Sequence, residues 1–154
     1  MMTVNPSFHE TQPLVIAFGS DHAGFLLKKR LLNLVEKQKY VVIDCGTMDQ
    51  HPVDYPDFAE RVVQKVLNHQ ADRGVLICGT GIGMAMAANR HRGIRAACCY
   101  DVYQTLMARQ HNDANVLCLG ERVVDEKMAH QCLITFLQTE FEGGRHQRRL
   151  DKID

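Results

Sequence analysis

Short, unbroken apolar runs alternate along the chain with amphipathic stretches. Leu14 to Phe18 is wholly apolar and leads through Gly19 and Ser20 into a helical pattern near Gly24–Lys37. Tyr40 to Ile43 is the next run, and a helix follows from about Pro56 to Asn68. Val75 to Cys78 runs into a glycine loop and a helix near Ile82–Arg90, and Ile94–Cys99 reads as a strand. The pattern then predicts a helix over Val102–Gln110, a strand over Asn115–Leu119 and a helix over Asp125–Leu137. Spacing carries the helices. Phe58, Val62 and Val66 recur every four residues with Ala59, Val63 and Leu67 beside them, which makes one stripe. Ala129, Leu133 and Leu137 repeat the pattern, flanked by Met128, Cys132 and Phe136.

The strands are short and continuously apolar, as strands buried on both faces of a parallel sheet are. Five strand–helix alternations therefore predict an open, doubly wound α/β sandwich. Ligands of such sheets bind beyond the carboxyl ends of the strands, and the polar motifs are expected there.

Composition narrows the classes. The 154 residues suit one domain, expected over 13–154 after a loose extension over 1–12. A hydrophobic share of 45% with 23% charged residues excludes disorder. Eighteen basic and eighteen acidic residues cancel, which argues against a nucleic-acid or anionic-membrane partner. No window approaches the roughly 18 apolar residues of a membrane span. The first dozen residues lack the basic start and apolar core of a secretory signal, so a cytoplasmic protein is expected. Cysteines 45, 78, 98, 99, 118 and 132 form no CxxC pair and read as free, mostly buried thiols.

Four segments could carry chemistry. In Gly19–Gly24, Asp21 can accept from sugar hydroxyls and His22 can donate to an oxyanion or phosphate, although an Asp there also suits a backbone cap. In Cys78–Gly83, the glycines at 79, 81 and 83 let backbone N–H groups around Thr80 and Ile82 converge on an anion. Met84 excludes the dinucleotide fingerprint, and no G-K-[ST] follows for a P-loop. Thiols beside such donors are the reactive ones, which makes Cys78 a candidate base or nucleophile.

Within Arg109–Asn115, His111 is the candidate general acid, since an imidazole titrates near operating pH. The alternative is a helix-end cation with Asn112 as a cap. In the tail, Arg145 and Arg149 lie one turn apart if a helix starts at 145, and two guanidiniums there can clamp a phosphate; a solvated basic end is the alternative. Arg122 is a further cation. Tyr55 precedes Pro56 in a turn into a helix and could close over a substrate ring. His9, His51, His69, His91 and His130 read as surface residues, and no metal or cofactor site follows from ligand spacing. A thiol, an acid, oxyanion donors and a phosphate clamp together point to a metal-free enzyme acting on a small phosphorylated carbonyl compound.

Taken together, Gly-Ser-Asp-His-Ala-Gly at 19–24, Asp-Tyr-Pro-Asp at 54–57, Cys-Gly-Thr-Gly-Ile-Gly at 78–83, Gly-Ile-Arg-Ala at 93–96, the run 109–117 and Glu-Gly-Gly-Arg-His at 142–146 resemble ribose-5-phosphate isomerase type B, of the ribose/galactose isomerase family. The resemblance implies a Rossmann-like three-layer α/β/α sandwich with a five-stranded parallel sheet, and interconversion of ribose 5-phosphate and ribulose 5-phosphate in the pentose phosphate pathway. It also implies a homodimer or dimer of dimers whose sites are shared, with the segment around His111 supplied by the partner. By motif, Cys78 resembles the base, residues 79–83 the enediolate cradle and Thr80 a proton relay. His111 resembles the residue that opens the ring with help from Asp21, and Asn112 a ligand of sugar hydroxyls. Arg122, Arg145, Arg149 and His22 resemble phosphate ligands. Some relatives carry serine at the position of Cys78 and use a carboxylate; Cys78 puts this chain on the thiol branch. A hexose-6-phosphate isomerase (allose or galactose) and a non-catalytic phosphosugar or nucleotide-binding module are the alternatives.

Overall fold

A computed structural model describes residues 12–153. His9 and all of the expected extension except Gln12 lie outside the described residues. The elements run β1 (Val15–Ser20), α1 (Phe25–Glu36), β2 (Val41–Asp44), α2 (Tyr55–Leu67), β3 (Arg73–Cys78), α3 (Ile82–Ala88), β4 (Ala96–Cys98), α4 (Val102–Gln110), β5 (Val116–Gly120), α5 (Glu126–Gln138) and α6 (Arg145–Leu150). The five strands pair in parallel in the order β2-β1-β3-β5-β4. This is the expected three-layer, Rossmann-like α/β/α sandwich.

Residue alternation sends neighbouring side chains to opposite faces of the sheet. Ile16, Phe18, Val75, Ile77, Leu117 and Leu119 pack with α1 and α5 on one face. Ala17, Leu76, Val116 and Cys118 pack with α2 and α3 on the other. Burial of each large apolar side chain stabilises the fold by about 1.5–3 kcal/mol. The central strands are covered on both sides, as their unbroken apolar runs require. The edge strands β2 and β4 are only partly covered, and β4 spans three residues where a strand over 94–99 is expected. An edge strand pairs on one side only, so its ends are less firmly held. All six cysteines are free, four of them buried. No helix among the described residues is long and apolar enough to cross a membrane.

The topology positions the site. From β1 the chain moves outward to β2, then crosses back to β3 on the far side of β1. Helices α1 and α3 therefore leave neighbouring strands toward opposite faces, which opens a crevice between the loops after β1 and β3. Gly24 seats the loop after β1 on β3: a Cβ there would stand 2.4 Å from the Ile77 carbonyl oxygen. The Asp21 N–H donates to the same oxygen at 3.2 Å.

Candidate active site

At the carboxyl ends of β1 and β3 the structure gathers Asp21, His22, Tyr55, residues 78–83 and Arg122. Asp21 is buried, and its Oδ1 accepts from the Gly24 N–H at 3.1 Å. The helix cap expected as the alternative role of Asp21 is not formed: Gly24 is the N-cap of α1 and no side chain caps it, and the Asp21 oxygen instead closes the turn that precedes the helix. His22 Nδ1 accepts from the Val53 N–H at 3.1 Å. A neutral His22 held this way carries its proton on Nε2, the state that donates to an anion.

Cys78 ends β3 and is 5% exposed. Its sulfur turns toward the loop, where the Gly81 N–H donates to Sγ at 3.1 Å. Gly81 has φ +81, a left-handed conformation that directs this amide back at the sulfur. The Ile82 N–H donates to Thr80 Oγ1 at 3.3 Å. Two of the expected anion donors are therefore engaged inside the loop. Side chains close over the remainder. Arg122 Nη1 stands 3.1 Å from where a Cβ on Gly79 would be, and Tyr55 Cζ 2.7 Å from the same point on Gly83. Tyr55 thus lies against the glycine loop at Gly83.

Lys28, which the sequence did not single out, positions this end. It is 1% exposed, pairs with Asp44 and donates to the Thr47 carbonyl at 2.7 Å. The loop so held exchanges backbone hydrogen bonds with Ser20, immediately before Asp21. A lysine on the buried face of a predicted helix is a sequence signal that would have found it.

Burial raises the neighbouring thiols Cys98 and Cys118 above the usual thiol range and Cys99 to about 11, so they stay protonated near neutrality. Cys98 Sγ lies 3.6 Å from the Thr80 carbonyl and 3.4 Å from Tyr100 Oη, packed behind the glycine loop.

Glu121, beside Arg122, has a buried Oε2 without a hydrogen-bond partner among the described residues. Burial raises its carboxyl, against the pull of Arg30 and Arg122. A raised folded pKa means that the protonated form favours folding and that this contribution is lost as pH rises through it. Glu121→Gln, neutral at all pH, should therefore raise Tm at about pH 7 and give no gain near pH 4. Solvent screening keeps the gain to about 2 °C. Thermal melts of both chains across that range check it; an equal shift at both ends would sink the assignment.

The other expected site residues lie elsewhere. Helix α4 runs back against the strands, so His111, its C-cap, and Asn112 sit at the amino ends. The backbone there turns through Asp113, with φ 44, before β5 begins. Arg109 is buried and structural, donating to Asp113 Oδ1, the Ala114 carbonyl and the Thr139 carbonyl. Helix α5 returns the chain to the same end, and α6 brings Arg145 and Arg149 there on one short helix, as expected. His146 of α6 stacks on His111 with centroids 4.1 Å apart and planes 14° apart. Burial, then His111, lowers the His146 imidazole below its usual value. Glu142 is tied in by its N–H, which donates to the Gln110 carbonyl at 3.1 Å.

This corrects the expectation that all polar motifs meet at the carboxyl ends. Gly120, the last residue of the five-residue β5, is the register partner of Cys78, whereas His111 precedes the strand. At ~3.3 Å per residue the strand alone separates the two groups by roughly 15 Å. A cavity of about 420 Å³, lined by Arg92, Arg95, Asn112 and Leu150 among others, also opens at the amino end and not beside Cys78. One chain thus holds the expected residues in two separate groups: Asp21, His22, Tyr55, Cys78, the glycine loop and Arg122 at the carboxyl ends, and His111, Asn112, Arg145 and Arg149 at the amino ends.

Comparison with known proteins points one way. The family profile described as Ribose/Galactose Isomerase matches residues 16–153. The ribose-5-phosphate isomerase B of Escherichia coli is 44% identical over 138 residues, covering 90% of this chain and 93% of its own. Among solved structures, the ribose-5-phosphate isomerase B of Clostridium thermocellum superposes with a TM-score of 0.90 at 48% identity, covering 91% of this chain and 95% of that one. That of Thermotoga maritima also gives 0.90, at 49% identity over 92% and 97% of the two chains.

Proposed function

The chain belongs to the ribose/galactose isomerase family, and from that premise we propose that it interconverts D-ribose 5-phosphate and D-ribulose 5-phosphate through a cis-enediolate. The observation that carries this is Cys78, at the crevice between the loops after β1 and β3, with a backbone N–H aimed at its sulfur. A thiolate is stabilised by such a donor.

In the proposed reaction His111, assisted by Asp21, moves the proton that opens the furanose to the aldehyde. The Cys78 thiolate removes the proton from C2. The C–H electron pair becomes the C1–C2 double bond, and the carbonyl pair moves to O1. Within residues 79–83, the backbone donors other than those of Gly81 and Ile82 hold that charge, a contribution that can reach several kcal/mol. The O2 proton then leaves, by way of Thr80, to O1, C2 becomes the carbonyl, and Cys78 returns its proton to C1. Asn112 binds sugar hydroxyls, Tyr55 covers the ring, and His22, Arg122, Arg145 and Arg149 hold the phosphate. Binding energy gained there can hold the open chain in place.

The separation of Cys78 from His111 supports a shared site. A second copy that presents its amino end to the first chain's crevice completes each site from two subunits, in a homodimer or a dimer of dimers. Isologous contact of this kind is the commonest form of assembly.

The decisive assay follows ribulose 5-phosphate formation from ribose 5-phosphate with a metal chelator present. Turnover is expected to persist, because the chain itself supplies base, acid and oxyanion donors. Loss of turnover in chelator would remove this mechanism. Preference for allose or galactose 6-phosphate would move the substrate to hexoses, and binding without turnover would leave a phosphosugar-binding module.

A further inference from the structure

Three side chains at the amino end of the sheet share one small volume. A ring nitrogen of each of His111 and His146 and a carboxylate oxygen of Glu142 lie within 4.8 Å of one another. His146 is 6% exposed, and its Nε2 has no hydrogen-bond partner among the described residues. That nitrogen stands 3.3 Å from Glu142 Oε2, yet off the geometry of a hydrogen bond. A buried polar atom in this state needs a physical account, because such groups are almost always paired.

Coordination supplies one. Around an ion held at ~2.1 Å by tetrahedral ligands, neighbouring ligand atoms stand ~3.4 Å apart. The His146–Glu142 pair already has that spacing. A ring nitrogen of His111, at the end of α4, lies within 4.8 Å of both. The backbone holds the two segments together through the Glu142 N–H and the Gln110 carbonyl. The Glu142 side chain is 49% exposed, so a hydrated ion has a way in.

We propose that His111, Glu142 and His146 bind zinc, or a divalent cation of the same coordination chemistry, and that the bound ion reversibly inhibits the isomerase. Two imidazoles with one carboxylate suit zinc, cobalt or nickel and disfavour magnesium and calcium, which take oxygen ligands. A water completes the set. The inhibition, but not the binding, rests on the role proposed above for His111: a coordinated imidazole has given up the lone pair that moves the ring-opening proton. Arg145 and Arg149 lie on the same short helix as His146 and oppose a cation. Their repulsion makes this a site for a reversible inhibitor rather than for a resident ion.

Titration calorimetry of the full chain with zinc chloride, with cobalt absorption as the second probe, tests the site. One zinc per chain is expected, with a cobalt spectrum of nitrogen and oxygen ligands lacking thiolate charge-transfer bands. Glu142→Gln and His146→Ala should each weaken zinc by more than the ~100-fold that bounds the loss of an outer-shell partner. Glu142→Gln should still turn over ribose 5-phosphate and resist zinc at concentrations that silence the native chain. No zinc uptake, native affinity in both variants, or thiolate bands in the cobalt spectrum would overturn the site. Uptake lost in the variants without any inhibition of the native chain would keep the metal and refute its effect on catalysis. An inactive native chain that nevertheless binds zinc would count against the proposed reaction and leave the site standing.

Discussion

Replacement of Cys78 by alanine is expected to lower turnover of ribose 5-phosphate by about a thousandfold while ribose 5-phosphate still binds. A positioned acid or base contributes roughly 10²–10⁴ to a rate. In the proposed reaction one sulfur removes the proton from C2 and returns it to C1, so both halves would lose their base together. The groups assigned to the phosphate do not touch the sulfur, so affinity should stay within a few-fold. The fold should tolerate the change. Cys78 ends its strand and packs with the α2/α3 face of the sheet, and removal of one buried sulfur from a core typically costs about 1–2 kcal/mol. Single-turnover kinetics, together with a thermal melt, separate these effects. Unchanged turnover in a folded Cys78→Ala chain would eliminate the thiol as the base. Cys98 could not take over, because burial holds its thiol above the usual range and its sulfur lies against the Thr80 carbonyl.

The second large effect is a gain. His111→Ala and Cys78→Ala chains, each nearly inactive alone, should recover activity when unfolded together and refolded as a mixture. In a mixed dimer one site combines both defects, and the other pairs an intact Cys78 with an intact His111. Random assembly makes half of the dimers mixed, so recovery should approach roughly a quarter of native turnover. The expectation comes from position: a β5-length of sheet lies between the two groups within one chain. Two groups proposed to touch one sugar cannot act across it. Absence of recovery in a mixture shown by mass to contain mixed dimers would mean that each chain works alone, and the division of the site between copies would be wrong.

Several parts of the site are legible in the residues themselves. The glycines at 79, 81 and 83 announce a turn that brings amides close together, and Cys78 just before them announces the thiol. Arg145 and Arg149, one helical turn apart, announce a paired cation, and α6 forms where that pairing requires it. The positions of these motifs relative to each other are not legible there. Asn115 to Leu119 reads as one more apolar strand, and nothing in its pattern tells that β5 inserts between β3 and β4. Lys28 escapes notice because a lysine in an amphipathic helix normally faces water; its partners, Asp44 and the Thr47 carbonyl, belong to a segment brought beside it only by β1–β2 pairing. Glu142 and His146 sit in a recognisable motif, but their approach to His111 depends on how α5 returns the chain.

Local patterning alone thus determined which segments are helix or strand, which faces are apolar, and which short motifs carry donors, acids and a thiol. Each of these follows from interactions a few residues apart: side-chain period, the glycine backbone, the turn of a helix. Strand order, the end of the sheet at which each motif emerges, and the meeting of His111 with Glu142 and His146 belonged to the tertiary structure. They depend on contacts between segments tens of residues apart, which form only when two apolar faces of one sheet are covered at once.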